Sequence, residues 1–121
     1  MKYIFFILAL LVFTSCKKNT TAITKFKTGT FKTLLKDTDI TSLAVRNDSV
    51  QIETYNNVKD TFAIEWKSNF EYTLLKVNPK NALDSTPFYV KITGFKENSY
   101  TFIAHYKGSN FKQKGEAIKI K

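Results

Sequence analysis

From Phe26 onward, apolar and polar side chains alternate with a period of two. Three segments carry the pattern most clearly. In Thr61–Lys67, the residues Phe62, Ile64 and Trp66 share one face, and Thr61, Glu65 and Lys67 share the other. Phe88, Val90 and Ile92 alternate with Tyr89, Lys91 and Thr93. Tyr100, Phe102, Ala104 and Tyr106 alternate with Thr101, Ile103, His105 and Lys107. Successive strand side chains point to opposite faces, so each segment offers one apolar face and one mixed face. Turn-forming residues recur about every eight to twelve positions, the spacing of an all-β sandwich or barrel. Arg46-Asn47-Asp48-Ser49 and Lys67-Ser68-Asn69 suit hairpins, and 56–60, 97–99 and 107–110 are also turn-like. The longest break, NPKNALDSTP at 78–87, holds both prolines, and LLKDTDI at 34–40 suits a short helical turn.

These signals predict strands near 26–33, 40–46, 49–55, 61–67, 70–77, 87–95, 99–107 and 115–120. Short connections make sequential antiparallel pairing the default. Strands with one apolar face hide their edges best by closing. The expected fold is therefore all-β: a small antiparallel meander of about eight strands forming a closed or partly open lipocalin-like barrel, preceded by a signal-peptide helix. A two-sheet sandwich is the alternative.

The N-terminal segment reads differently. Lys2 precedes an unbroken apolar run of eleven residues, Tyr3 to Phe13, followed by Thr14, Ser15 and Cys16. That order is a secretory signal. The run is too short for a bilayer core, which needs roughly 20 apolar residues. The letters F-T-S-C resemble a lipobox, with Ser15 the small residue before the cysteine and Phe13 where Leu or Val is more usual. The resemblance implies cleavage after residue 15 and lipidation of Cys16. The expected organisation is a signal peptide at 1–15, a lipid-anchored tether at 16–25 and a β-barrel domain at 26–121. Lys17 and Lys18 would add attraction to anionic headgroups, on the order of 1 kcal/mol each.

Composition narrows the picture. Cys16 is the one cysteine, so an exported domain of this size must rest on its hydrophobic core, without a disulfide. Eleven Phe, six Tyr and one Trp are too many aromatics for a disordered chain. After removal of residues 1–15 the chain keeps 18 basic and 10 acidic residues, a net charge of +8. Such a balance favours anionic partners, but seventeen of the 18 are lysines scattered in runs no longer than two, which equally suits a solvated surface.

A search for reaction chemistry finds little. There is one histidine, His105, and no zinc spacing. No G-x-S-x-G elbow is present. Glu53, Glu65 and Glu71 alternate among lysines and read as members of cross-strand ion pairs. Gly29, inside a predicted strand, marks a bulge or a close backbone approach. The chain is not expected to be an enzyme, and no cofactor or metal is called for. Trp66 reads as core; with Phe62 and Phe102 it would line the interior if the barrel were hollow. Aromatics between lysines can stack nucleic-acid bases, but an export signal argues against nucleic acid as the partner.

Several short stretches resemble a group of small lipoproteins from Bacteroidetes, particularly flavobacteria. They are Ser15-Cys16-Lys17-Lys18, Phe26-Lys27-Thr28-Gly29-Thr30-Phe31, Val45-Arg46-Asn47 with Gln51-Ile52-Glu53, Ile64-Glu65-Trp66 with Glu71-Tyr72, Lys114-Gly115-Glu116 and Ile118-Lys119-Ile120. The group has no established activity, so the resemblance implies a location and not a reaction. Some of its members are labelled a DNA topoisomerase subunit, which a chain of this size has no room to be. Lys17 is not the aspartate that retains lipoproteins at the inner membrane in some other bacteria, and no acidic surface-export run follows Cys16. The resemblance thus implies an outer-membrane lipoprotein facing the periplasm.

The functional expectation is a non-enzymatic binding or structural module of the cell envelope, held to the membrane by lipid on Cys16. Its partner would be an envelope protein or an anionic surface component met by Lys91, Lys107 or the 78–87 loop. The alternatives are a lipocalin-like carrier of a small apolar ligand and an inhibitor of an envelope hydrolase. A basic lysozyme would be repelled by a +8 chain.

Overall fold

The alternation read from the sequence builds one continuous sheet. The computed structural model describes residues 24–121; the expected signal peptide, Cys16 and most of the expected tether lie outside the described residues. Eight strands follow in order: β1 (Gly29–Leu35), β2 (Thr41–Arg46), β3 (Val50–Tyr55), β4 (Val58–Trp66), β5 (Glu71–Lys76), β6 (Phe88–Phe95), β7 (Ser99–Tyr106) and β8 (Gln113–Lys119). Each pairs antiparallel with the next, and β1 also pairs with β8, through Phe31↔Lys119 to Leu35↔Gly115. The sheet is a closed barrel with no free edge, and the sandwich alternative is excluded.

The inward faces are those the alternation indicated. Ile64, Val90, Ile92, Tyr100, Phe102 and Ala104 are buried in the interior, with Phe62, Trp66 and Phe88 packed against them. Burying each large side chain contributes about 1.5–3 kcal/mol, which lets the barrel stand without a disulfide.

Local chemistry sets the corners. Asn56 and Asn57 form a two-residue connection between Tyr55 and Val58, both with left-handed backbone (φ 48° and 66°). That is the hairpin geometry matching the natural twist of paired strands, and asparagine tolerates it. Gly29 takes φ 127°, and a Cβ there would sit 2.4 Å from the Lys121 carbonyl oxygen, a close approach only glycine allows. The one bulge in the sheet falls between Ile92 and Gly94 on β6.

Three segments differ from expectation. Residues 58–60, expected in a turn, belong to β4, and the turn is confined to Asn56 and Asn57. Residues 26–28 are not part of the first strand; Lys25–Lys27 form a 3-10 turn. Its Phe26 is 1% exposed, stacked on Phe95 at 5.7 Å and edge-on to Tyr100 at 5.4 Å. The turn is tied down from the side, since Lys119 Nζ donates to the Lys25 carbonyl at 2.6 Å. A side chain that fills an end of the barrel gains more than one continuing an edge. The helical turn at 34–40 is absent: β1 runs on to Leu35 and Thr38 caps the following turn, its hydroxyl donating to the Leu35 carbonyl at 3.0 Å.

The two ends of the barrel are unlike. At one, Phe26 plugs the interior among the loops 47–49, 67–70 and 96–98. At the other lie the loops 36–40, 56–57, 77–87 and 107–112. The described chain begins at the plugged end.

Candidate functional site

On β2 and β3 the usual pattern is inverted. Leu43, Val45 and Ile52 face outward and are exposed, while Ala44, Arg46 and Gln51 are buried inside the barrel. Arg46, at 4% exposure, is the one arginine of the chain and lies at the plugged end of the interior. Its Nε donates to Gln51 Oε1 at 2.8 Å and its Nη1 to the Phe26 carbonyl at 2.8 Å. Its Nη2 donates to the hydroxyls of Tyr72 at 3.2 Å and Tyr100 at 2.9 Å. The guanidinium carbon also stands 4.4 Å from the centre of the Phe31 ring and 4.8 Å from that of Tyr72, within cation–π range.

No carboxylate touches this cation. The ion pairs among the described residues are Lys76 with Asp60 and with Asp84, and Lys96 with Glu116. The nearest acid in the network, Glu53, is reached only through Gln51, whose Nε2 donates to Glu53 Oε1 at 2.8 Å. Burial works against the charge of Arg46, but the two tyrosines outweigh it and hold its pKa above the ordinary arginine value. Burial pushes the Glu53 carboxyl up, against the Gln51 hydrogen bond and the charge of Arg46. Burial raises the Tyr72 hydroxyl well above its ordinary value, so it stays neutral at physiological pH.

Above this floor the barrel is not filled. A cavity of about 140 Å³ is lined by Arg46, Tyr72 and Tyr100 below and by Leu35, Phe88 and Phe102 along its walls. Ser42, Thr33 and Gln113 add polar groups, and Glu53, Leu74 and Phe88 also line a second space of about 290 Å³ beneath the 77–87 loop. There Phe62, Tyr106 and Lys76 form the wall, with Lys76 holding Asp60 at 3.3 Å and Asp84 at 3.4 Å. The deeper space is thus a cup with a cationic floor and an apolar wall, and the second space, toward the loop end, is lined by charged groups.

Of the residues singled out from sequence, Phe102 lines the deeper space and Phe62 the outer one. Trp66 lines neither. It packs on Tyr72 at 4.6 Å beside Arg46, and its buried Nε1 has no hydrogen-bond partner among the described residues. Lys91 faces outward opposite Glu71, in a groove shared with Lys67, Tyr89, His105 and Lys112. Lys107 is not in that groove; it follows β7 in the connection 107–112, its amide donating to the Pro87 carbonyl at 2.9 Å. Glu53 is a correction, since it faces the interior and bonds Gln51 instead of joining an outer ion pair. Glu65 and Glu71 stay on the outer face, where Glu71 stands opposite Lys91 but, among the described residues, within 4 Å of no lysine nitrogen. His105 sits on the outer face, its Nδ1 3.0 Å from the Tyr106 carbonyl, and no metal-binding group of acidic, His or Cys residues occurs among the described residues.

Sequence reasoning missed Arg46, Gln51, Tyr72 and Tyr100 as a cluster. The available signal was composition: one arginine in a chain that otherwise uses lysine, in phase with Ala44 rather than with Leu43 and Val45. No protein-family model, curated protein or solved structure matches this chain.

Proposed function

We propose that this protein is a lipid-anchored module of the bacterial cell envelope that holds a small ligand inside its barrel and performs no chemistry on it. The observation that carries the reading is the cup: an eight-stranded barrel closed at one end by Phe26 and Arg46 and left unfilled toward the other. Barrels of this strand number are just wide enough to hold one small ligand, the lipocalin-like arrangement. The anchoring half of the proposal rests on Cys16 and the segment before it. The two halves are compatible, because the described chain begins at the plugged end, opposite the loops 77–87 and 107–112.

The test is ligand binding by the mature chain carrying Cys16→Ser, followed by calorimetry and by fluorescence of Trp66. One neutral and one anionic eight-carbon probe, 1-octanol and octanoate, are the first ligands. Ser42→Leu fills the cup without touching the Arg46 network, and it should abolish binding of whichever probe the wild type takes. Absence of binding by both probes would count against the reading. Anchoring is tested separately: radiolabelled palmitate should enter the wild type and not Cys16→Ser.

A second reading has its own support. Val45 and Ile52 are neighbours across β2 and β3, and Leu43, two residues along β2, is exposed on the same outer face. An exposed apolar strip of this kind suits an envelope protein partner. Crosslinking in intact cells tests it, with loss of the partner expected in Val45→Lys and in Cys16→Ser.

A further inference from the structure

We infer that the cup is built for the carboxylate of a small amphipathic monoacid, its head on Arg46, Tyr72 and Tyr100 and its apolar tail toward Phe88 and Phe62. This rests on the reading of the cup as a ligand site and names the ligand class.

The argument starts from donors. A guanidinium carries five N–H groups and no acceptor. Four are used, by Gln51, Phe26, Tyr72 and Tyr100, and one hydrogen on Nη1 is left. The two tyrosine hydroxyls share one hydrogen bond at 2.9 Å, so only one of their two protons has an acceptor between them. Two donors therefore remain on groups that line the cavity, next to a buried positive charge that no carboxylate touches. A buried cation is costly unless an anion neutralises it, and every protein acceptor around it is neutral. An oxyanion in the cavity supplies the missing acceptor and the missing charge at once.

The surroundings narrow the anion. There is one cation at the floor, and Glu53 lines the same space. A doubly charged phosphate would leave a negative charge facing that carboxyl, whereas a monoanion matches the single guanidinium. The walls are Leu35, Leu74, Val90, Phe88 and Phe102, which ask for an apolar body. About 140 Å³ holds a ring the size of benzene, and the further carbons of a medium-length chain would run along Leu74 and Phe88, which also line the second space.

The experiment compares octanoate with 1-octanol on the mature Cys16→Ser chain at neutral pH. Octanoate should bind at least about tenfold more tightly, the worth of a charge-assisted pair over a neutral one. Arg46→Gln should bring the two affinities within about twofold, and Tyr72→Phe should narrow the gap by about threefold while leaving octanol unchanged. Because Arg46→Gln removes a buried network and can fail to fold, a second readout uses the wild type alone. The ¹³C signal of carboxyl-labelled octanoate should stay at its ionised position well below the pH at which free octanoate titrates. Equal binding of the two probes, or solvent-like titration of the bound carboxyl, would overturn the headgroup assignment and leave the cup intact. Binding of neither probe would remove the cup reading as well.

Discussion

The plug at the closed end makes the most exacting stability prediction. Phe26 is almost wholly buried between Phe95, Phe31 and Tyr100, and its carbonyl accepts a hydrogen bond from Arg46. Truncating it by Phe26→Ala removes the transfer free energy of the ring and leaves a cavity, about 3–5 kcal/mol together. Loss of the stacked and edge-on ring contacts places the value in the upper part of that range. A second loss follows if the Lys25–Lys27 turn detaches, because Arg46 then lacks an acceptor at Nη1, about 1.5–3 kcal/mol for a bond to a charged group. Against a total stability of roughly 5–15 kcal/mol, the variant should be barely folded or unfolded at 37 °C. The assay is urea denaturation, followed by Trp66, the one tryptophan, which lies 4.6 Å from Tyr72 beside the affected network. Phe26→Leu keeps most of the apolar bulk and should recover most of the loss. A loss under about 1 kcal/mol for Phe26→Ala would mean that the turn does not close the barrel, and the description of a plugged and an open end would fall.

Other positions give independent checks. A Cβ on Gly115 would lie 2.5 Å from Phe102 Cζ and 2.7 Å from the Leu34 carbonyl oxygen, so Gly115→Ala should cost about 2–3 kcal/mol in a urea melt, and a change under about 0.5 would contradict the packing. Burial raises the Glu53 pKa, against Gln51 and Arg46 and with help from Asp60. The folded protein therefore holds that proton more tightly than the unfolded chain, gains stability as pH falls through the raised pKa, and loses it as pH climbs. Glu53→Gln keeps an acceptor for Gln51 and does not titrate, so its stability relative to the wild type should be greater at about pH 8 than at about pH 4; a difference independent of pH would refute the burial of the carboxyl. At the β3–β4 corner, Asn57 holds φ 66°, so Asn57→Val should cost about 1–2 kcal/mol while Asn57→Gly stays within about 0.5. Equal effects of those two, measured by thermal melts, would argue against the left-handed turn.

Much of the barrel is written in local pattern. The period of two in Phe62-Ile64-Trp66, Phe88-Val90-Ile92 and Tyr100-Phe102-Ala104 names both the strands and their inward faces, because a strand alternates its side chains whatever it pairs with. Turn residues separate the strands, and short connections make a meander the simplest pairing. Closure was an expectation from the need to hide edges, and the pairing of β1 with β8 realises it. Only the tertiary structure decides the face of β2 and β3. There Leu43, Val45 and Ile52 are more apolar than Arg46, Gln51 and Glu53, so hydrophobicity taken strand by strand points the wrong side inward. The inversion holds because, besides its strand neighbour Gln51, partners from remote parts of the chain receive the guanidinium: Phe26, Tyr72 and Tyr100 stand 20, 26 and 54 positions from Arg46. Phe26 likewise reads as a strand residue until the barrel provides an end for it to fill. Alternation is a property of neighbours in sequence, whereas satisfying a buried charge depends on the register of the whole closed sheet.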